Sequence, residues 1–246
     1  QFLKKTAEKV SFFAGTTQEF AFDDPQTYYN WIARHEPGKA ELERQRSQQF
    51  KFQPKISIAV PTFNTPLEFL KPMIDSVLDQ TYANWELCIA DGSKSGGETQ
   101  QYLKTLAETE SRVKVKYLTA NLGIAGNTNE AIALAEGEYV ALLDHDDTLA
   151  PFALYEVAAA LNAKPADIIY SDEDKLAKSG RSRLKPHFKP DWSPDTLRTY
   201  NYITHFLVIK KELMDRLGGI RTGFEGSQDF DLVLRATETT NNITHI

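Results

Sequence analysis

Cysteine is nearly absent from the sequence, because Cys88 is the only one among 246 residues. A single cysteine excludes an intrachain disulfide, a bond that proteins of oxidising compartments commonly use. Cys88 also falls inside an apolar stretch that predicts a strand. We therefore expect the protein to work in a reducing compartment.

Long apolar runs are absent as well. No stretch approaches the ~18 apolar residues that identify a membrane-spanning helix. The opening residues 1–5 are not followed by the apolar region of a signal peptide, and the chain begins with Gln1 instead of Met. We expect no transmembrane segment in this chain and regard it as part of a longer protein with other domains.

The sequence also lacks an excess of positive charge. The sequence has 28 Lys and Arg against 34 Asp and Glu, a net charge of −6 at pH 7. Nucleic acid binding requires a basic face, so this balance argues against a nucleic-acid or polyanion partner. A nucleotide bound through a metal ion remains compatible, since the cation supplies the positive charge.

The usual glycine-rich nucleotide loops are missing too. No Gly-x-Gly-x-x-Gly follows a predicted strand and no Gly-Lys-Ser/Thr loop occurs, which excludes the common dinucleotide-binding and P-loop classes. Two glycines that do follow a strand, Gly123 and Gly126, are open to two interpretations. They allow the backbone to approach a ligand closely, or they simply form a tight loop.

From residue 55 onward the sequence alternates between strand-like and helix-like segments. Apolar runs predict strands at 56–60, 85–90, 113–118, 139–143, 167–170 and 206–209. The segments between them carry apolar residues at helical spacing, and this alternation is typical of a mainly parallel sheet flanked by helices. We predict a Rossmann-like α/β fold over residues 53–246.

Two parts of the chain lack this alternation. Residues 1–52 contain a predicted helix starting at Asp24 and Pro25 and a charged helix over 39–49, so we interpret them as an N-terminal helical arm or linker. Residues 178–195 are rich in Lys, Arg and Pro and predict a loop over the crevice at the ends of the strands.

The densest group of candidate functional residues follows the fourth predicted strand, where Asp144, Asp146 and Asp147 come directly after an apolar run. Side chains alternate along an extended backbone, so Asp144 and Asp146 can point the same way. Two converging carboxylates repel unless a cation joins them, and oxygen ligands suit Mg²⁺ or Mn²⁺. Ligands of open α/β sheets bind at this edge of the sheet. The pattern predicts a metal-dependent site there.

Further acids lie at strand ends and helix starts. Asp91 ends the second predicted strand, and Asp229 and Asp231 lie at the start of a predicted helix. Acids at helix starts often have a structural role through capping and the helix dipole. We favour that role for Asp231.

Several short motifs together resemble glycosyltransferase family 2, whose members have the GT-A fold. They occur in the family's order and spacing: VPTFN at 60–64, QTY at 80–82, WEL at 85–87, DGS at 91–93, NLG at 121–123, LDHDD at 143–147 and GSQD at 226–229. The segments SDEDKL at 171–176 and PHFKPDWSP at 186–194 are similar to the branch that builds bacterial O-antigen and related surface polysaccharides.

This resemblance implies roles for individual residues. The residues that would bind the nucleoside of a nucleoside diphosphate sugar are Pro61, Thr62, Asn64, Asp91, Asn121, Gly123 and Asn127. Asp144 would contact the ribose or the metal, Asp146 would ligate the metal that bridges the diphosphate, and Asp147 would assist. Asp229 falls where the family places its general base. The chain departs from the family at Gln228, where members often have Glu. It also ends just before the stretch in which many members carry a His that completes the metal site.

These residues suit sugar transfer chemically. A divalent cation, Mn²⁺ or Mg²⁺, stabilises the leaving diphosphate, and a base on the opposite face takes the proton of the attacking hydroxyl. One base and one metal give a single displacement with inversion at the anomeric carbon. The implied donor is UDP- or dTDP-linked, the acceptor a glycan or lipid-linked glycan, and the location the cytoplasm at the inner face of the membrane.

Three other functions were considered. A nucleotidylyltransferase of related fold should have a Gly-rich, Arg-containing loop after the first strand, where this sequence has Pro61, Thr62 and Phe63. A calcium-binding module of the EF-hand type would need a ligand series with a central Gly and a final Glu, which is missing. A non-catalytic nucleotide- or sugar-binding domain stays open, because binding and catalysis share most of these residues.

Overall fold

The computed structural model describes residues 25–94, 96–177 and 182–246. The chain divides into two compact units, one of Gln1–Glu36 with Asp174–Pro186 and one of Pro37–Glu173 with His187–Ile246. Every candidate site residue named above belongs to the second unit.

The second unit is built on a seven-stranded sheet with the strand order β3-β2-β1-β4-β8-β5-β9. The strands of the chain are β1 (Ile56–Thr62), β2 (Trp85–Asp91), β3 (Val113–Tyr117), β4 (Tyr139–Leu142), β5 (Ile168–Tyr170), β6 (Glu173–Leu176), β7 (Arg183–His187), β8 (Leu207–Lys210) and β9 (Ile243–His245). Strands β6 and β7 form a separate two-stranded sheet.

The sheet is mainly parallel, as the sequence predicts. β1 pairs in parallel with β2 and β4, β2 with β3, and β5 with β9. β8 is the exception and runs antiparallel to both of its neighbours, β4 and β5. Every residue of β1 and β2 is buried, as expected for parallel strands covered by helices on both faces.

Nine helices are seen in the described ranges. They are α1 (Pro25–His35), α2 (Lys39–Ser47), α3 (Leu67–Leu78), α4 (Glu98–Thr109), α5 (Gly123–Ile132), α6 (Ala153–Ala163), α7 (Pro194–Thr199), α8 (Lys211–Leu217) and α9 (Gln228–Thr237). None of them is long and apolar enough to cross a membrane.

The sheet separates two apolar cores, and alternate strand residues face each of them. Ile58 and Val60 of β1 pack into the core that also contains buried residues of α3, α4 and α6, including Leu70, Leu103 and Leu154. Ala59, between them, faces the core that contains buried residues of α5, α8 and α9. The three-layer arrangement follows from this alternation.

The described part of the predicted loop at 178–195 corrects the sequence interpretation. Arg183–His187 forms strand β7, and α7 starts at Pro194 with Ser193 accepting a capping hydrogen bond from the Thr196 amide at 3.4 Å. Residues 178–181 lie outside the described residues. The polar composition of β7 and its Pro186 hid the strand, since Pro is uncommon in strands.

The first unit is described for α1 and parts of β6 and β7. The Tyr28 hydroxyl donates to Asp174 at 2.5 Å, and Arg183 bridges Asp174 and Glu36, the latter at 2.7 Å. Partial burial, together with the hydrogen bond to Asp174, raises the pKa of Tyr28 above its ordinary value. These polar contacts join α1 to the two strands within this unit.

Candidate active site

A cleft opens where the carboxyl ends of β1 and β4 meet the first residues of α9. Its lining includes Pro61, Asp144, His205, Gln228 and Asp229. Three of these, Pro61, Asp144 and Asp229, are residues that the sequence predicts for one site. The ends of parallel strands are the usual ligand-binding edge of such sheets.

The direction of β8 explains why His205 joins this cleft. Because β8 is antiparallel to β4, the last residue of β4, Leu142, pairs with the first of β8, Leu207. Asp144 lies two residues beyond the end of β4, and His205 two residues before the start of β8. The two side chains therefore meet at the same edge of the sheet.

Within the described ranges, one group of His and carboxylate side chains has the spacing of a metal site. Oxygens of Asp144 and Asp147 and a ring nitrogen of His205 all lie within 4.8 Å of one another. His205 Nε2 is 3.9 Å from Asp144 Oδ2, and Nδ1 is 3.8 Å from Asp147 Oδ2. This group can offer one imidazole nitrogen and two carboxylate oxygens to a divalent cation.

Asp146 stands apart from this group. Its residue is exposed, while Asp144 and Asp147 are half-buried. Asp147 is the carboxylate that the structure brings to Asp144 and His205. Alternation along an ideal strand predicts the pairing of Asp144 with Asp146, but β4 ends at Leu142 and a turn follows, with the Asp147 amide donating to the Asp144 carbonyl at 3.3 Å.

The pKa of Asp147 reflects its burial and its charged neighbours. Partial burial raises the pKa of the Asp147 carboxyl, the neighbouring His205 opposes the rise, and Asp144 and Asp146 add to it. Negative charges that gather without a counter-ion disfavour ionisation. A divalent cation would reverse that effect.

Asp229 is the second residue of α9 and borders the cleft beside Gln228. The preceding turn contains Gly226 with φ of 87°, a conformation that glycine adopts readily. The side-chain amide of Asn201 donates from Nδ2 to Asp229 Oδ2 at 3.0 Å. Among the described residues, the Oδ1 atom of Asn201 is buried without a hydrogen-bond partner.

Asp231, two residues further along α9, has different partners. Its buried carboxylate accepts from Arg221 and, at 2.9 Å, from Arg235. The Arg221 hydrogen bond is the main cause that lowers the pKa of Asp231 below its ordinary value. Both arginines hold Asp231 in ion pairs, a structural contact different from the capping role that its place at the helix start predicts.

Asp91 is fully buried at the end of β2 and organises the loops around it. Its Oδ1 accepts from the Thr62 hydroxyl at 2.9 Å and the Ser93 hydroxyl at 2.6 Å, and its Oδ2 accepts from Gln100 Nε2 at 2.9 Å. The Ser93 hydroxyl in turn accepts from the Asn64 amide at 2.7 Å. A base N–H can reach Asp91 Oδ2 only if Gln100 shares that oxygen or moves aside.

Asn121, Gly123 and Asn127 form a second organised loop. Asn127 is buried; its Nδ2 donates to Asn121 Oδ1 at 2.9 Å and its Oδ1 accepts from the Leu122 amide at 3.0 Å. Helix α5 begins at Gly123, whose φ is 74°. A Cβ on Gly92 would lie 2.9 Å from Asn127 Nδ2, so glycine is needed where the two loops touch.

The sequence interpretation missed three site residues. His205 precedes an apolar strand without a motif of its own, and only the antiparallel pairing of β8 brings it to Asp144. Asn201 and Gln100 carry no motif either, and each acts through a contact distant in sequence. Local sequence patterns do not predict such contacts.

Comparison with known proteins agrees with these motifs. Residues 57–222 match the profile described as glycosyl transferase family 2. The chain is 39% identical over 220 residues to the O-antigen biosynthesis protein RfbC of Myxococcus xanthus. That alignment covers 89% of this chain and 17% of RfbC, so the chain spans under a fifth of that relative's length.

Solved structures share the fold. S. aureus TarS 1-349, crystallised in complex with UDP, superposes with a TM-score of 0.65 at 21% identity, over 78% of this chain and 57% of TarS. The mannosyltransferase PcManGT from Pyrobaculum calidifontis, in complex with GDP-Man and Mn²⁺, gives a TM-score of 0.61 at 18% identity, over 92% and 63% of the two chains. The predicted GT-A fold is thereby confirmed.

Proposed function

The chain belongs to glycosyl transferase family 2, and on that premise we propose that it transfers a sugar from a UDP- or dTDP-linked donor to a hydroxyl of a growing glycan. The name of its relative RfbC supports O-antigen or another surface polysaccharide as the product. The acceptor is then a glycan or lipid-linked glycan. The transferase domain spans residues 53–246 in this proposal.

In this proposal the protein ligands of the divalent cation are Asp144, Asp147 and His205. The exposed Asp146 contributes a further carboxylate to the site. When bound, Mn²⁺ or Mg²⁺ neutralises the charge that develops on the leaving diphosphate. The Mn²⁺ in the PcManGT complex supports this role by analogy of fold.

Asp229 acts as the general base. It borders the same cleft as Asp144 and His205. The carboxylate accepts the proton of the acceptor hydroxyl while that oxygen forms a bond to the anomeric carbon. The bond from that carbon to the diphosphate breaks, its electron pair leaves with the diphosphate, and the configuration inverts.

The two organised loops receive the nucleoside. Asp91 fixes Thr62 and Ser93 and, through Ser93, the Asn64 amide. Asn127 fixes Asn121 and the start of α5 at Gly123. Pro61 lines the cleft between β1 and the metal ligands. Hydrogen bonds within the loops fix their conformation, which reduces the entropy lost on binding.

The observation that carries the proposal is that one cleft joins Asp229 to the cluster of Asp144 and His205. The test is a transfer assay on the full-length protein with a panel of UDP- and dTDP-sugars and Mn²⁺, comparing wild type with Asp229→Asn. We expect transfer to fall ~10²-fold or more in the variant, within the range of a positioned base. Calorimetry should show UDP affinity nearly unchanged.

Two results would speak against this function. Transfer at a normal rate by Asp229→Asn would remove Asp229 from the mechanism, and Asp172 would be the next base to test. Nucleotide binding without any turnover by wild type would favour a non-catalytic nucleotide- or sugar-binding domain. A thermal-shift panel identifies the nucleotide first, because a ligand at 100 times its dissociation constant stabilises by roughly 2.7 kcal/mol.

A further inference from the structure

Two sequence motifs outside the cleft lining, at 171–176 and 186–194, meet in an ion pair whose lysine is buried and whose glutamate is half-buried. Glu173 comes from the first motif and Lys189 from the second. Lys189 Nζ lies 3.2 Å from Glu173 Oε2, and the Lys189 side chain is 0% exposed. Burial lowers the pKa of Lys189 while the Glu173 carboxylate opposes the change.

The ion pair holds the backbone of His205 from both sides. Lys189 Nζ donates to the His205 carbonyl oxygen. Glu173 Oε2 accepts from the His205 amide at 3.3 Å and from the Thr204 hydroxyl at 3.1 Å. Both polar backbone groups of one residue are therefore bound to one pair of charges.

The site of Lys189 is itself fixed. Its amide donates to Asp172 Oδ1 at 2.7 Å, and the same oxygen lies 2.8 Å from His245 Nε2. The Glu173 carboxylate has a further neighbour in His187, whose Nδ1 is 3.4 Å from Oε1. The two motifs form a polar scaffold that ends at His205.

Stability alone does not account for this arrangement. Removing two charges from water costs about as much as their attraction returns, and well-packed neutral residues often serve equally well. A buried pair can instead specify geometry, and residues that orient metal ligands strongly affect metal affinity. The ring of the residue it holds, His205, faces Asp144 and Asp147.

We propose that the Glu173–Lys189 ion pair is a positioning device for His205. It fixes the backbone from which the ring reaches the cation shared with Asp144 and Asp147. This inference rests on the proposed function, specifically on the assignment of His205 as a ligand. It assigns the two motifs to metal binding instead of donor or acceptor contact.

The test measures Mn²⁺ affinity directly, by the electron paramagnetic resonance signal of free Mn²⁺ at fixed UDP, in the full-length protein. The key variant combines Glu173→Gln with Lys189→Met, which removes both charges and leaves no lone buried ion. We expect its unfolding temperature to stay near wild type and its Mn²⁺ affinity to fall ~10-fold or more, the usual effect of outer-shell partners. UDP affinity without metal should not change.

Two comparison variants separate the explanations. Glu86→Gln breaks another ion pair with one buried member, in which the buried Glu86 Oε2 is 2.8 Å from Lys114 Nζ, at the opposite end of β2 from Asp91. It should lower stability and leave Mn²⁺ affinity intact. His205→Ala reports on the proposed metal site itself and should lose affinity at least as strongly as the double variant.

The outcomes are distinguishable. If His205→Ala loses Mn²⁺ affinity and the double variant does not, the positioning role is overturned and the metal site stands. If His205→Ala keeps wild-type affinity, the assignment of the ligand and the inference both fall. Where the double variant does not fold, Glu173→Asp carries the test, because it keeps both charges and withdraws the acceptor from the His205 amide; unchanged Mn²⁺ affinity in that variant would overturn the positioning role.

Discussion

Asp144 and Asp229 both carry a carboxylate and both border the cleft, but their neighbouring side chains differ. Asp144 faces the His205 ring at 3.9 Å, with Asp147 beside it. Asp229 is held by the single neutral amide of Asn201 at 3.0 Å. A carboxylate bound to a cation is a poor proton acceptor, whereas one held by an amide keeps a lone pair available.

The amide of Asn201 should therefore matter for catalysis and not for nucleotide binding. We expect Asn201→Ala to lower kcat about 10-fold or more, because a misoriented base loses its alignment with the attacking hydroxyl. The dissociation constant of UDP, measured by calorimetry, should stay at its wild-type value. Asn162→Ala is a matched control, since Asn162 also makes side-chain hydrogen bonds, to Phe52 and Ala158. A rise in KM with kcat unchanged would indicate substrate binding by Asn201 instead.

The acids after β4 should differ in how much each contributes to the Mn²⁺ enhancement of UDP binding. Asp147 lies in the cluster with Asp144 and His205, and Asp146 is exposed outside it. Asp147→Ala should remove most of the Mn²⁺ enhancement of UDP binding, and Asp146→Ala a smaller part. Calorimetry of UDP with and without Mn²⁺ measures both. A larger loss for Asp146→Ala would place the cation on the solvent side of the turn.

At the scale of the elements, burial decides how much could be predicted. β1 and β2 are buried along their whole length, so apolar runs alone identify them, and the acids at 91 and 144 follow from the strand ends. Pairing between distant segments leaves no local pattern. The antiparallel placement of β8, and with it the contact between His205 and Asp144, therefore could not be predicted from the sequence.

The loop after β2 provides a test at this scale. Asp91 joins Thr62, Ser93 and Gln100, so it supports a loop as well as any direct base contact. Asp91→Ala should weaken UDP binding by about 1.5–3 kcal/mol, the range for hydrogen bonds to charged groups, and inorganic diphosphate much less. Gln100→Ala leaves Asp91 Oδ2 free for a base N–H, so it should not weaken UDP binding as Asp91→Ala does. Equal weakening of UDP and diphosphate would assign Asp91 to folding or to the phosphates.

At the scale of the whole second unit, acidic side chains have different surroundings at the two ends of the strands. The edge with the cleft gathers Asp144, Asp146 and Asp147, and this crowding contributes to the raised pKa of Asp147. At the other edge, the Glu86 carboxylate is 3% exposed and lies 2.8 Å from Lys114 Nζ. Glu86 also accepts from the Ser57 hydroxyl at 2.6 Å and the Glu136 amide at 2.6 Å.

This contrast predicts an acid-sensitive stability that depends on Glu86. Burial opposes its ionisation, but the hydrogen bonds from Lys114, Ser57 and the Glu136 amide outweigh it and lower the pKa of Glu86 to about 2. A carboxyl whose pKa is lower in the folded state stabilises fully above its unfolded pKa of about 4.3, and the contribution disappears as the pH falls toward 2. Urea unfolding of wild type and Glu86→Gln should differ by about 2–3 kcal/mol at pH 7. The difference should shrink between about pH 4.5 and pH 2. Glu43→Gln, at a side chain 81% exposed, should show no such dependence, and a constant difference for Glu86→Gln at every pH would contradict the role of its charge.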